Sequence, residues 1–184
     1  MLFSKVASSL LLAFTAYAVS IKARDVQLAD DIYAIDAAVN ALTENVNDYN
    51  SGSFPSGLVD GIPILLDVVN IHLVNRKGYA DANLSPTLDS QDSITVVKSV
   101  TNSVAVDIPK SVDALKAKKS LFVAAGLTQI VIASLKLLKN DHDTFSAAVV
   151  AKLTADAETT AQGLAGVKII DDALADGIAY FSSR

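Results

Sequence analysis

From Leu28 to Tyr49 the large apolar side chains fall at Leu28, Ile32, Ile35, Val39, Leu42, Val46 and Tyr49, in alternating steps of four and three. That spacing keeps them on one face of an α-helix for about six turns, while Asp30, Asp31, Asp36, Asn40, Glu44 and Asn45 fall largely on the other faces. A chain that opens this way must bury a long straight stripe against other elements. The turn-forming segment Asn50-Ser51-Gly52-Ser53-Phe54-Pro55-Ser56-Gly57 ends the helix.

The same period recurs downstream. A second helix is predicted over 58–79, with Pro63 tolerated near its start and Gly78 closing it. The polar stretch from Ala80 to Asp92 reads as a loop, with Ser90 or Asp92 able to cap the next helix. Ile94, Val97, Val100, Val104, Ile108, Val112 and Leu115 mark a third helix, which Pro109 is expected to kink. Gly126 breaks the chain before a fourth helix carrying Leu127, Val131, Leu135, Leu138, Phe145, Val149 and Leu153. A fifth runs from about Thr154 to Phe181, with Leu164, Val167, Ile170, Leu174, Ile178 and Phe181 inward. No long alternating run competes with these helices. The expected fold is all-α: a single antiparallel bundle of about five amphipathic helices.

Composition removes several function classes. At 51% hydrophobic and 19% charged, the 184 residues cannot remain disordered. The core must be built from Ala, Val, Leu and Ile, because aromatics supply only 6% and Trp is absent. With a formal net charge of −5 and no Lys/Arg run longer than the pair at Lys118-Lys119, nothing tracks phosphates. Neither nucleic acid nor an anionic membrane headgroup is therefore an expected partner. Cysteine is absent, so packing alone must hold the fold.

Two segments carry more apolar residues than a core-facing helix needs, which is about three in seven. Between Ile62 and Val74, nine of thirteen positions are Ile, Leu or Val, and Leu121 to Ile132 is similar. One reading is a helix buried on several sides by its neighbours. The other is a surplus that lines an internal lipid cavity or forms an exposed adhesive face. On the second reading the candidate contacts are Leu65, Val69, Leu73, Phe122, Leu127, Ile130 and Val131. Periodicity alone fits both.

Signs of catalysis are missing. There is no cysteine nucleophile, no G-x-S-x-G elbow, no H-E-x-x-H pair and no phosphate-binding glycine loop. His72, between Ile71 and Leu73, reads as a partly buried helix residue. Asp141-His142-Asp143 cannot converge on one metal, because consecutive helical side chains point about 100° apart. No catalytic residue, cofactor or metal is expected. Asn83-Leu84-Ser85 is the one N-glycosylation sequon, weakened by the Pro86 after it.

The ends suggest export. Lys5 precedes an uncharged, mostly apolar run from Val6 to Val19, and Ala16-Tyr17-Ala18 fits a signal-peptidase site. The run is short for a membrane span, so residues 1–18 are expected to be a signal peptide and 19–184 the single domain. The terminal Ala179-Tyr180-Phe181-Ser182-Ser183-Arg184 lacks the hydrophobic tail of a glycolipid-anchor signal. A free, secreted protein without an integral membrane span is the expectation.

Val112-Asp113-Ala114-Leu115-Lys116-Ala117-Lys118-Lys119, then Phe122 and Ala124-Ala125-Gly126-Leu127-Thr128, resembles the fungal hydrophobic surface-binding protein family, which includes cell-wall galactomannoproteins. Leu135-x-x-Leu138-Lys139-x-Asp141, Ala147 to Leu153, and the opening from Asp25 to Tyr49 with Ile32, Ile35 and Asn47 are similar too, so the likeness spans about 25–182. The resemblance implies a secreted helical bundle that adheres to hydrophobic surfaces or binds long-chain fatty acids. It also implies candidate partners in a secreted hydrolase or a host protein, and association with the cell wall. The alternatives it leaves are a structural wall mannoprotein or antigen, and an effector engaging a protein partner. The chain departs from the galactomannoproteins in having no Ser/Thr-rich tail.

Overall fold

The computed structural model describes residues 27–183, so the expected signal segment lies outside the described residues. Every regular element among the described residues is helical. Helix α1 covers 27–48, and the remaining elements are α2 (Ser56–Asp60), α3 (Ile62–Leu84), α4 (Ser90–Ser99), α5 (Ala105–Ala117), α6 (Lys119–Ala124), α7 (Thr128–Val150) and α8 (Ala157–Ser182). A π-helical segment, Val100–Val104, joins α4 to α5 in one continuous rod. The five long rods are therefore α1, α3, α4–α5, α7 and α8.

Cross-helix contacts fix their order and direction. Asp31 meets Lys77 and Asn45 meets Asp67, so α1 and α3 run antiparallel. His72 meets Asp141 and Arg76 meets Thr144, so α3 and α7 run parallel. Lys139 meets Asp171 while His142 meets Val167, which makes α7 and α8 antiparallel. Gly163 lies against Val97 and Gly177 against Val112, so α8 runs parallel to α4–α5. Asn40 reaches Asp107, and Lys118 reaches the Tyr49 carbonyl, closing the circuit between α5 and α1. The rods form a ring of five in which each is antiparallel to its neighbour in sequence. Five cylinders in a ring leave a wider hole than four, and this geometry shapes the interior.

The stripe on α1 packs inward as its period requires: all seven of its apolar residues are buried. On α7, Val131, Leu135, Leu138, Phe145 and Val149 do the same. Helix α8 departs from expectation. Leu164 points outward at 49% exposed, and the inward positions at that end are Gly163 and Gly166, continued by Ile170, Leu174, Gly177 and Phe181. A Cβ at Gly163, Gly166 or Gly177 would sit 2.9–3.0 Å from Val97, Val100 or Val112. Helix α8 can approach α4–α5 this closely only because those three residues lack side chains.

Other boundaries shift for local reasons. Helix α3 runs through Gly78 to Leu84, since Gly78 is buried against the Phe145 ring and the polar residues after it lie on the solvent side. The loop read from Ala80 shrinks to 85–89. The cap is neither Ser90 nor Asp92 but Asp89, whose side chain accepts from the Asp92 N–H at 2.8 Å. Pro109 lies inside α5, and the rod's irregularity is the π segment upstream of it, where the Ser103 hydroxyl donates to the Ser99 carbonyl at 2.5 Å. Gly126, at φ +75°, closes α6: Leu127 N–H bonds to the Phe122 carbonyl and Gly126 N–H to that of Val123.

At the seam between α1 and α5 two carboxylates meet. Asp36 is pushed above the usual carboxylate range, first by burial and then by the neighbouring Asp107. Asp107 is held low, chiefly by its bond from Lys110. A carboxyl whose pKa rises on folding contributes stability when protonated and loses it as pH climbs through the raised value. Asp36→Asn is therefore expected to melt above the native chain at neutral pH, with the difference closing by about pH 3. Thermal melts followed by circular dichroism across that range test this; a gap that stays constant with pH would refute the assignment.

Candidate functional site

Two apolar cavities, each of about 90 Å³, lie end to end inside the ring. The central one takes residues from all five rods: Ile35 and Val39 of α1, Ile71 and Asn75 of α3, Val100, Val104 and Ser111 of the π segment and α5, His142 and Phe145 of α7, and Gly163 and Ile170 of α8. Along α7 its lining runs from Leu135 to Val150, ~22 Å at the helical rise of 1.5 Å per residue. That is the length scale of a long acyl chain.

The second cavity lies between α3, α5, α6 and the start of α7, lined by Ile64, Leu65, Val68, Phe122, Leu127, Ile130 and Val131 among others. Leu42, Leu115, Leu135 and Leu138 line both cavities and form the partition between them. Phe122 is anchored from both sides. It stacks on Tyr49 at 4.8 Å and meets Phe181 at 6.3 Å, while the Tyr49 hydroxyl donates to the Gly57 carbonyl.

Of the seven residues that the sequence points to, Leu65, Phe122, Leu127, Ile130 and Val131 come together around the second cavity. Val69 and Leu73 do not join them. They face solvent from α3, at 45% and 60% exposed. Surplus apolarity on α3 is thus shared between an inward face (Ile64, Val68, Ile71) and an outward one (Ile62, Leu65, Leu66, Val69, Leu73).

The central cavity escapes a reading of the sequence, because each lining residue looks like ordinary core. The available signal is polar residues at core registers. Ser111 is 4% exposed, and its hydroxyl has no hydrogen-bond partner among the described residues. Buried hydroxyls are normally paired, so this one stands ready to bond to a group entering the cavity. Asn75, by contrast, donates to the Ile71 carbonyl. His142 sits on Val167 through Nε2 at 3.1 Å, and burial holds its pKa below the usual histidine range, so the neutral ring lines the wall.

His142, Asp143 and Asp171 bring ligand-type atoms within 4.8 Å of one another. Asp171 arrives from α8, which a reading confined to 141–143 could not foresee. The Lys139 ammonium already bridges Asp143 and Asp171, supplying the positive charge the carboxylates require. Asn83 lies exposed in the last turn of α3 with its amide donating to the Tyr79 carbonyl, whereas Ser85 of the sequon is buried.

Comparison with solved structures finds the same helical fold in several fungal proteins. AFMP4P, solved in complex with palmitic acid, is 26% identical with a TM-score of 0.78, covering 86% of this chain and 99% of that one. Ligand binding domain 1 of the Penicillium marneffei MP1 protein, complexed with arachidonic acids, is 24% identical with a TM-score of 0.76, over 86% and 99% of the two chains. Domain 2 of the same protein, complexed with multiple arachidonic acids, is 21% identical, with a TM-score of 0.72 over 84% and 94%. No curated protein sequence matches the chain. The profile of hydrophobic surface binding protein A matches residues 26–151, α1 through the end of α7, and the chain belongs to that family.

Proposed function

We propose that the chain carries a long-chain fatty acid, or a similar single-chain lipid, inside the five-helix ring as a secreted protein that catalyses nothing. The observation that carries this reading is the central cavity, lined by all five rods and almost wholly aliphatic, with one unpaired buried hydroxyl. Each methylene moved from water into such a lining contributes roughly 0.8 kcal/mol. The carboxyl head group meets Ser111, while the chain extends along α7. A cavity of about 90 Å³ is smaller than the ~150 Å³ void that admits benzene. The lining must therefore swing aside to admit the chain, which its Leu, Val and Ile side chains do without stranding a polar group. The fatty acids in the palmitic and arachidonic acid complexes of similar fold support the choice of ligand class. The sequence features of the first eighteen residues support export and, with it, contact with the cell wall.

Displacement of a fluorescent fatty acid by palmitate tests the site. Ser111→Ala is expected to weaken binding about fivefold, the worth of ~1 kcal/mol for one hydrogen bond. Ser111→Leu, which pushes methyl groups into the cavity, is expected to weaken it tenfold or more without lowering the melting temperature. Native affinity in a folded Ser111→Leu protein would remove the central cavity as the site.

A further inference from the structure

The outward face of α2–α3 gathers seven large exposed apolar side chains on one side of the bundle. Leu58, Val59, Ile62, Leu65, Leu66, Val69 and Leu73 are each 42–62% exposed. At 100° per residue they fall within a stripe about 120° wide. Between Gly61 and Asn75 the one carboxylate is Asp67, which is half-buried and accepts from the Asn45 amide at 2.6 Å, and His72 turns inward to Asp141. Within the segment from Ser56 to Leu84, the most apolar 18 residues reach a mean hydropathy of 1.6, long and apolar enough to cross a membrane by composition. Its other side, however, is built into the ring through Ile64, Val68, Ile71 and Gly78.

We infer that this stripe docks on uncharged lipid surfaces and that the second cavity opens there as the port through which an acyl chain passes. Charge argues for the class of surface. From Leu58 to Leu73 the stripe offers no cation to an anionic headgroup; Arg76, the next residue on that face, is drawn over the Tyr79 ring at 4.5 Å, and the chain's net charge of −5 opposes approach to an anionic surface. Area argues against a second copy as the occupant. The seven side chains expose roughly 600 Å², at the top of the range for monomer patches and below the ~800 Å² that each partner of a stable pair buries. Position argues for the port: Leu58, Ile62 and Leu65 of the stripe, with Ile130 beside them at 42% exposed, border the second cavity. A chain leaving a docked surface there enters an apolar lining without crossing water. Docking stands independently of the fatty-acid reading, while the port rests on it.

The test compares the native chain with Leu66→Glu/Leu73→Glu, two exposed positions that line neither cavity. Flotation with phosphatidylcholine vesicles, with and without added phosphatidylglycerol, measures docking. Transfer of a fluorescent fatty acid from loaded vesicles measures passage through the port. The native chain is expected to bind the neutral vesicles and to bind less as phosphatidylglycerol is added, with a transfer rate that rises with vesicle concentration. The double variant is expected to lose at least tenfold in both docking and transfer, yet keep its equilibrium affinity for monomeric fatty acid. Undiminished flotation by the folded variant, or stronger binding to the anionic vesicles, overturns the docking face. So does sedimentation of the native chain as a dimer that the two substitutions dissociate. A transfer rate independent of vesicle concentration overturns the port. If neither protein takes up fatty acid while docking still depends on the stripe, the interior reading has failed and the docking face stands.

Discussion

Phe122→Ala is expected to destabilise the protein by about 3–5 kcal/mol, the range for truncating a buried aromatic ring. The ring is 1% exposed and is the meeting point of three chain segments: the end of α1 through Tyr49, the short helix α6, and the end of α8 through Phe181. Helix α6 has only six residues, too few to persist by its own hydrogen bonds, so its position depends on this packing. A fall in melting temperature of about 10 °C or more is the expected reading. Phe122→Leu, which keeps most of the volume, is expected to recover well over half of the loss. Equal losses for the two substitutions would show that Phe122 acts through something other than its bulk. Because Phe122 also lines the second cavity, palmitate added to the Ala variant is expected to restore part of its stability by filling the void.

The second large effect concerns a buried carboxyl. Asp141 is 1% exposed on α7, and its one side-chain partner among the described residues is His72 of α3, whose Nδ1 stands 2.7 Å from Oδ2. Its other oxygen, Oδ1, has no partner there. His72→Leu strands the carboxyl in the α3–α7 seam and is expected to cost about 3 kcal/mol. Replacing both residues, as His72→Leu/Asp141→Leu, is expected to return stability to within about 1 kcal/mol of native, since apolar pairs often substitute for buried ionic ones without loss. Urea unfolding of the two single variants and the double one gives the coupling directly. Strictly additive losses would mean that the pair does not act as a unit.

How each contact is made decides whether the sequence betrays it. The α1 stripe is legible because one face of one helix meets one core, and the alternation of three and four survives unbroken from Leu28 to Tyr49. Repeating that pattern along the chain is enough to reach the five-rod bundle. Helix α3 is legible only as a surplus: Val68 and Val69 are the same residue type one position apart, yet the first packs inward and the second meets solvent. Helix α8 misleads for the opposite reason. Its tightest contacts are made by Gly163, Gly166 and Gly177, which carry no apolar signal, so the pattern of large side chains points to Leu164 instead. The central cavity is a property of the ring of five, and no single helix carries its trace beyond a serine at a core position.

Under the proposed occupancy by acyl chains, the leucine partition is expected to make the two cavities thermodynamically dependent on one another. Leu42, Leu115, Leu135 and Leu138 are walls of both, so a chain that displaces them on one side reshapes the other before any second molecule arrives. Linkage is reciprocal: whatever factor the first occupant imposes on the second, the second imposes on the first. Two short acyl chains and one long chain that pushes through the partition are then different stoichiometries of the same lumen. A binding isotherm that departs from independent sites is the sign of those four side chains moving together.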